Sequence, residues 1–170
     1  MKPLFVMLTM RGGGAEGALV NLVNNLSKKG HDITVLSLFN VGVNIEKLDK
    51  DITYKSIFCR YIPGNRLLFK LVPPKILFRL MIKERYDVIT AYLQGVTTRI
   101  VAGAPEGQTC VARIGCTFSK SYDSSGAYQS REEMLKCYKR YKKIVANSKD
   151  ALNFFSDVTG IKNNLDILYN

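Results

Sequence analysis

Two hydrophobic periodicities alternate along the chain. The apolar run Leu4–Leu8 is typical of a buried β-strand. It is followed by apolar residues at i, i+3, i+4 and i+7, the spacing of one helical face: Leu19, Leu22, Val23 and Leu26. Short β-branched segments continue to alternate with helical segments to the end of the chain. The pattern predicts seven strands: Leu4–Leu8, His31–Phe39, Ile52–Phe58, Asp87–Tyr92, Thr109–Ile114, Ile144–Ala146 and Leu165–Tyr169.

Helices are predicted between most of these strands. Pro73 and Pro74 divide the segment Asn65–Arg85 into two helices, because proline disrupts a helix interior but is accepted in a first turn. Further helices are predicted over Val96–Ala102, Glu132–Tyr141 and Lys149–Val158. Strands that alternate with helices form a parallel sheet with helices on both faces. The predicted fold is therefore a single Rossmann-like domain over residues 1–170, a three-layer α/β/α structure with a mostly parallel sheet.

Composition narrows the class of protein. The 170 residues are 46% hydrophobic, which is typical of one globular domain with its own core. Lys and Arg interrupt every apolar run before the roughly 18 residues that a membrane span needs, so neither a spanning helix nor a signal peptide is expected. The four cysteines form no C-x-x-C pair, and the lone His31 follows a predicted helix as a turn residue. No metal site is expected.

The charge balance points to an anionic partner. The chain has 25 Lys and Arg against 14 Asp and Glu, a formal net charge of +11. In the second helix of the segment Asn65–Arg85, Lys75, Arg79 and Lys83 stand four residues apart beside apolar side chains. The apolar residues expected to face the sheet are Ile76, Leu77, Leu80 and Met81, whereas Phe78 and Ile82 have no obvious place in the core. Such a ridge fits an anionic membrane surface, and it equally fits the solvated face of a crossover helix. Nucleic acid is not expected, because no stacking aromatics or binding motif accompany these cations.

A glycine-rich turn links the first strand to the first helix. Gly13 and Gly14 lie at the predicted helix N-terminus, where close backbone approach, free amides and the helix dipole favour a phosphate. The alternative is a tight strand-to-helix turn without a ligand. The turn also reads G-x-G-x-x-G, but a dinucleotide site needs an acidic residue about twenty positions on, at the end of the second strand. Asn40 stands there, so NAD binding is not expected.

Polar and aromatic residues follow the ends of later strands. Tyr92 and Gln94 end the fourth strand, and Gly115 follows the fifth. Ligands of open α/β sheets bind at this carboxyl edge. The polar segment Ser119–Ser130 is predicted to be a mobile surface loop that covers the crevice.

Several strings of residues resemble one enzyme family in order, spacing and loop content. They are Gly13–Glu16, Leu26–Val35, Tyr92–Gly95, Ser119–Ser125 and Lys143–Ser148. By these strings the chain resembles the N-terminal domain of a GT-B glycosyltransferase of the family-4, group-1 type, found in capsule and polysaccharide biosynthesis. Two positions depart from the family pattern: Gly115 stands where members commonly place a histidine, and Gly17 replaces a common arginine. No catalytic residue is therefore assigned, and a reduced or altered activity is compatible with the sequence.

The resemblance implies transfer of a sugar from a nucleotide-sugar donor to a saccharide or lipid-linked acceptor. The transfer would retain the configuration of the sugar, require no metal and take place at the inner face of the cell membrane. Gly13 and Gly14 would approach the donor diphosphate. The expected acceptor and crevice residues are Glu16, Tyr92, Gln94, Arg113, Gly115 and Ser148. A donor-binding C-terminal domain is missing from these residues, so the isolated chain is expected to be inactive. The open alternative is a stand-alone subunit that binds an acceptor or a membrane without catalysis.

Overall fold

The protein is built on one parallel β-sheet. The computed structural model describes residues 1–115 and 126–169. Its seven strands have the spatial order β3-β2-β1-β4-β5-β6-β7, and every neighbouring pair is parallel. The strands are β1 (Pro3–Met7), β2 (Thr34–Phe39), β3 (Thr53–Phe58), β4 (Val88–Tyr92), β5 (Cys110–Ile114), β6 (Lys143–Ala146) and β7 (Leu165–Ile167). All seven strands predicted from the sequence are confirmed.

Helices fill the connections between the strands. The helices of the described part are α1 (Gly14–Lys28), α2 (Asn65–Leu71), α3 (Pro74–Met81), α4 (Val96–Val101), α5 (Arg131–Tyr138) and α6 (Lys149–Thr159). The proline break between α2 and α3 is confirmed, with Pro74 at the start of α3. Gly160 ends α6 in the left-handed conformation, which glycine adopts without the strain of a side chain.

The core has two parts, one on each face of the sheet. In β1, Phe5 and Met7 pack with α1, whereas Leu4 and Val6 belong to the cluster on the opposite face. Residues of α2 to α6 join that second cluster. Side chains of a strand point alternately to the two faces, so each buried strand contributes to both layers. The three-layer Rossmann-like prediction is confirmed. Among the described helices, α1 covers one face of the sheet and α2 to α6 cover the other.

A buried arginine holds α2 in place. Arg99 of α4 is 1% exposed and pairs with Glu133 of α5 through Nη2 and Oε1, 2.7 Å apart. Its guanidinium also donates to carbonyls at the end of α2, those of Phe69, Lys70 and Val72. The last carbonyls of a helix lack intrahelical donors. Arg99 therefore satisfies the end of α2 and links it to α4 and α5.

The burial pattern of α3 differs from the sequence-based expectation. Ile76 and Leu80 were expected to face the sheet, but they are 48% and 64% exposed. Phe78 and Ile82, for which the pattern offers no obvious place in the core, are buried. The expectation is confirmed for Leu77 and wrong for Ile76 and Leu80, because α3 is rotated so that Phe78 is buried beside Leu77. α3 also ends at Met81, so Lys83 lies beyond the helix rather than on it.

Only part of the predicted loop Ser119–Ser130 is described. Residues 116–125, including the string Ser119–Ser125, lie outside the described residues. In the part that follows, Ala127 and Tyr128 are buried, and the Tyr128 hydroxyl lies 2.5 Å from Thr98 Oγ1. The prediction of a mobile surface loop is therefore wrong for this part, because an aromatic side chain anchors it in the core. Within the described ranges, no helix combines the length and the apolar character needed to cross a bilayer.

Candidate functional site: a crevice beside the first helix

The glycine-rich turn runs from the end of β1 into α1. Gly13 is the N-cap of α1, with extended backbone and no side-chain capping bond. The first helical bond runs from Gly17 N to Gly13 O, at 3.0 Å. The first amides of a helix have no intrahelical acceptors. They lie at the positive end of the dipole of this 15-residue helix, an arrangement suited to an anion.

The segment after β2 braces this turn. Met10 N donates to Val41 O at 2.8 Å, and Asn44 N donates to Met10 O at 3.0 Å. The Asn44 side-chain amide also donates to Arg11 O. Gly42 has a positive φ of 132°, and a side chain there would overlap the Met10 carbonyl. The turn is therefore fixed by backbone contacts that need glycine at position 42.

A cavity of about 430 Å³ begins at the turn and continues along α1. It brings together three of the predicted site residues, Gly14, Tyr92 and Arg113. Its other lining residues are Gly17, Ala18, Asn21, Leu22, Leu168 and Tyr169. The cavity therefore combines the start of α1, the carboxyl ends of β4 and β5, and the segment after β7. We call it the carboxyl-edge crevice.

A buried cation and an aromatic ring form one wall of the crevice. Tyr92 and Arg113 are register partners on β4 and β5, and each is 2% exposed. The Arg113 guanidinium carbon lies 4.3 Å from the centre of the Tyr92 ring, within cation–π distance. Burial lowers the pKa of Arg113 and raises the pKa of the Tyr92 hydroxyl. Partial desolvation strengthens the electrostatic attraction of Arg113 for an anion that enters the crevice.

Gln94 and Gly115 fix the loops that follow β4 and β5. Gly115 N donates to Gln94 Oε1 at 3.2 Å, and Asn147 Nδ2 donates to Gly115 O at 3.2 Å. A side chain at position 115 would overlap Leu93 Cδ2. Leu93 thus occupies the space into which a residue larger than glycine would project. These two predicted residues hold neighbouring loops together and do not line the crevice.

Glu16 and Ser148 also have local roles. The Ser148 hydroxyl accepts a hydrogen bond from Ala151 N at 3.1 Å and caps α6, as the sequence predicts. The Glu16 carboxylate folds back over the turn, so a side chain at Gly13 would overlap Glu16 Oε2. A carboxylate in the first turn of a helix interacts favourably with the positive end of the helix dipole. An anion that approaches the same amides must displace it.

Part of the crevice was missed by the sequence analysis. Asn21 and Leu22 lie on α1 about two turns after Gly14, on the face that Gly17 and Ala18 share. Their helical spacing from the turn is the signal that would have found them. Leu168 and Tyr169, which are 44% and 66% exposed, were predicted only as strand residues.

The three cations predicted for a membrane surface lie elsewhere. Lys75, Arg79 and Lys83 are exposed and line a separate cavity with Arg140. This cavity lies beside the connections that lead into β4, β5 and β6, at the amino edge of the sheet. The predicted cations are therefore close together, but they are not part of the carboxyl-edge crevice.

The fold and the sequence both match known glycosyltransferases. Structural neighbours include Anabaena Alr3699/HepE in complex with UDP and glucose, at 18% identity and a TM-score of 0.71, which covers 100% of this chain and 44% of that one. The same Anabaena protein also matches in complex with UDP-glucose, at a TM-score of 0.69. A glycosyltransferase from Rickettsia africae ESF-5 has 16% identity and a TM-score of 0.62, with 99% and 42% of the two chains covered.

The lipopolysaccharide outer core galactosyltransferase WaaB in its apo form has 14% identity and a TM-score of 0.61, with 100% and 46% covered. The chain thus spans less than half the length of these structures, and at such identities they show the fold alone. No curated protein sequence matches the chain significantly. The model of Glycosyltransferase Family 4 matches residues 12–170. Resemblance to the N-terminal half of a GT-B glycosyltransferase is confirmed, and the chain belongs to Glycosyltransferase Family 4.

Proposed function

We propose that this chain is the acceptor-side half of a glycosyltransferase that moves a sugar from a nucleotide-sugar donor to a saccharide or lipid-linked acceptor. One observation carries the proposal: Gly14, at the start of α1, and the buried Arg113 line the same crevice. Backbone amides and a guanidinium are both suited to a diphosphate. Two structures of the Anabaena neighbour contain UDP or UDP-glucose, which supports a nucleotide-sugar as the donor class.

The proposed chemistry separates the sugar from a diphosphate. The bond between the anomeric carbon and the diphosphate oxygen breaks, the acceptor oxygen forms the new bond, and the acceptor proton passes to the leaving diphosphate. Negative charge grows on the leaving diphosphate. The amides at Gly13 and Gly14 and the guanidinium of Arg113 are fixed in advance, so they stabilise this charge with little reorganisation. In this proposal the sugar is transferred with retention and without a required metal.

The proposal includes a second, donor-binding domain. Because this chain covers 42% to 46% of the neighbouring structures, a whole enzyme of that size needs as much chain again. The carboxyl-edge crevice would then face the second domain, which would supply the remaining contacts to the nucleotide. The 170-residue chain alone is expected to be inactive in transfer.

We also propose that the protein acts in bacterial polysaccharide biosynthesis as a peripheral protein at the inner face of the cell membrane. The support is the surface of α2 and α3. Cations of α3 lie beside exposed apolar side chains, a combination that favours binding to anionic bilayers. The exposed apolar residues are Leu67, Leu68, Leu71, Ile76 and Leu80.

The donor site can be tested at the glycine turn. A Cβ at Gly14 meets no atom within 4 Å, so Gly14→Val should fold normally while its side chain obstructs the crevice. Gly12→Ala is the matched control, because Gly12 lies in the same turn, does not line the crevice and has only an ordinary contact with Val43. The measurement is calorimetric titration of the full-length polypeptide with UDP and UDP-glucose. We expect a loss of about 10-fold or more for Gly14→Val. Unchanged affinity would remove this turn from the donor site.

A second function is favoured by one feature. Gly115 has no side chain at a position where family members commonly carry a histidine, and Leu93 fills the adjacent space. A chain without that group could serve as a non-catalytic subunit that binds an acceptor or a membrane. Vesicle binding by the full-length polypeptide without any affinity for UDP-glucose would support this subunit instead of the transferase.

A further inference from the structure

The amino edge of the sheet carries a second cavity, of about 660 Å³. Four cations line it: Lys75 and Arg79 of α3, Lys83 after α3, and Arg140 after α5. The remaining lining residues are Phe78, Ile82, Gly103, Ala104, Pro105 and Glu106. The segments after α3, α4 and α5 lead into β4, β5 and β6, so the cavity lies at the opposite edge from the carboxyl-edge crevice. We call it the amino-edge cavity.

Packing fixes the shape of this cavity. A side chain at Gly103 would overlap the carbonyl of Pro74, so the end of α4 lies directly against the start of α3. Phe78 and Ile82 are buried below the cations. Arg140 Nη2 donates to Ala104 O at 2.6 Å, which holds this guanidinium against the loop before β5. These contacts fix the base and one side of the cavity, and the exposed cations project from them.

The charges in the cavity are unbalanced. Four cations face one carboxylate, that of Glu106. In the described part of the chain, none of the four cations is in a salt bridge. Other exposed lysines do have carboxylate partners, as in the pair Lys143 and Asp166 at 2.7 Å. Like charges gathered around one concave space repel one another and raise the local concentration of anions.

We propose that the amino-edge cavity binds a phosphate group, at a site separate from the donor diphosphate. Two guanidinium groups and two ammonium groups match the geometry and charge of phosphate oxygens. The volume of the cavity is in the range of small-molecule sites and is larger than a bare ion would fill. The apolar lining from Phe78, Ile82 and Pro105 suits the carbon skeleton attached to the phosphate.

An anionic phospholipid is the source that the surroundings favour. Ile76 and Leu80 lie on α3 immediately next to Lys75 and Arg79, and both are exposed. A phosphate head group in the cavity would place this apolar row at the acyl boundary of the bilayer. The inference refines the membrane contact proposed above by naming its ligand, and it does not depend on sugar transfer. A soluble phosphate ester would use the same cations without the apolar row.

The test compares two triple variants of the full-length polypeptide. The cavity variant is Lys75→Gln, Arg79→Gln and Arg140→Gln. The control variant, Lys29→Gln, Lys136→Gln and Lys162→Gln, removes the same charge from exposed residues that do not line the cavity. Binding is measured to vesicles of phosphatidylcholine, with and without phosphatidylglycerol, and to soluble glycerol phosphate. Thermal unfolding checks that both variants fold.

We expect the cavity variant to lose about 100-fold in affinity for phosphatidylglycerol vesicles, and the control variant to lose clearly less. Loss of vesicle binding alone assigns the site to a lipid head group, and a parallel loss of glycerol phosphate binding assigns it to phosphate esters in general. Equal losses in the two variants, or no binding of either ligand by the unmodified protein, would overturn the proposal. UDP affinity, measured on the same samples, should stay unchanged, so failure of this site is distinguishable from failure of the donor site.

Discussion

Two buried arginines of this domain serve different purposes. Arg99 is 1% exposed and Arg113 is 2% exposed. The guanidinium of Arg99 is bound by the carboxylate of Glu133 and by three carbonyls at the end of α2. Arg113 instead lies over the Tyr92 ring and lines the carboxyl-edge crevice.

The difference teaches how to read a buried cation. A guanidinium that donates to a carboxylate and to helix-terminal carbonyls joins elements of the fold. A guanidinium at the wall of a crevice, with its pKa lowered by burial, opposes folding at neutral pH because the folded state disfavours its charged form. Such a cost is commonly found where a charge serves a ligand. Loss of Arg99 should therefore lower mainly the stability, whereas loss of Arg113 should lower mainly the ligand affinity.

The largest effect is expected for Arg99→Met. The substitution leaves Glu133 and the carbonyls at the end of α2 without their donor, and breaking a buried pair costs about 3–5 kcal/mol of unfolding free energy. Urea unfolding of the full-length polypeptide measures this loss. UDP affinity of the folded protein should not change. A loss below about 1 kcal/mol would show that Arg99 is not the link between α2, α4 and α5.

The next effect is expected for Arg113→Met, which keeps most of the side-chain volume and removes the charge. We expect about 10- to 100-fold weaker binding of UDP, the range for a hydrogen bond to a charged group. The loss of stability should be smaller than for Arg99→Met, because removing the charge also removes its desolvation cost. Calorimetry and urea unfolding measure the two quantities. Normal UDP affinity combined with a large loss of stability would make Arg113 a second structural arginine.

A smaller effect is expected at the ring below Arg113. Tyr92→Leu removes a cation–π contact worth about 0.5–2 kcal/mol, so UDP affinity should fall several-fold as Arg113 loses its fixed position. Tyr92→Phe is the control, because it keeps the ring and removes only the hydroxyl. Equal losses in the two variants would show that the hydroxyl matters and that the ring does not position Arg113.

The smallest effect is expected at Ser148 and tests whether this residue is a helix cap or a crevice residue. Ser148→Ala removes the acceptor of the Ala151 amide and should cost about 1 kcal/mol of unfolding free energy. UDP affinity should stay the same, since Ser148 does not line the crevice. A fall in UDP affinity without a fall in stability would return Ser148 to the site predicted from the sequence.

The local signals in the sequence were sufficient for the fold. Hydrophobic periodicity located every described strand, and Pro73 and Pro74 marked the break between α2 and α3 because proline restricts the backbone. The rotation of α3 was not predictable in the same way. Both of its faces carry apolar residues, so packing against the end of α4 at Gly103, and not the pattern, decides which face is buried.

The candidate site was predictable only in part. Gly14 follows from the rule that helix N-termini bind phosphate, and Tyr92 from the rule that ligands bind at the carboxyl ends of parallel strands. Arg113 was expected only from the family resemblance. Gln94 and Gly115 fit the same rule, yet their hydrogen bond to each other ties two loops together. Side-chain direction depends on contacts between distant segments. For the same reason, the sequence alone could not show that Arg140 lies beside the cations of α3.

The central claim is that the carboxyl-edge crevice receives the donor diphosphate. Its most direct test is a crystal structure of the full-length polypeptide with UDP-glucose. The account predicts diphosphate oxygens within about 3.2 Å of the amide at Gly13 or Gly14, with the Glu16 carboxylate displaced and Arg113 facing the ligand. A donor bound in full without contact to α1 or Arg113 would contradict the account, and the crevice would then need another ligand.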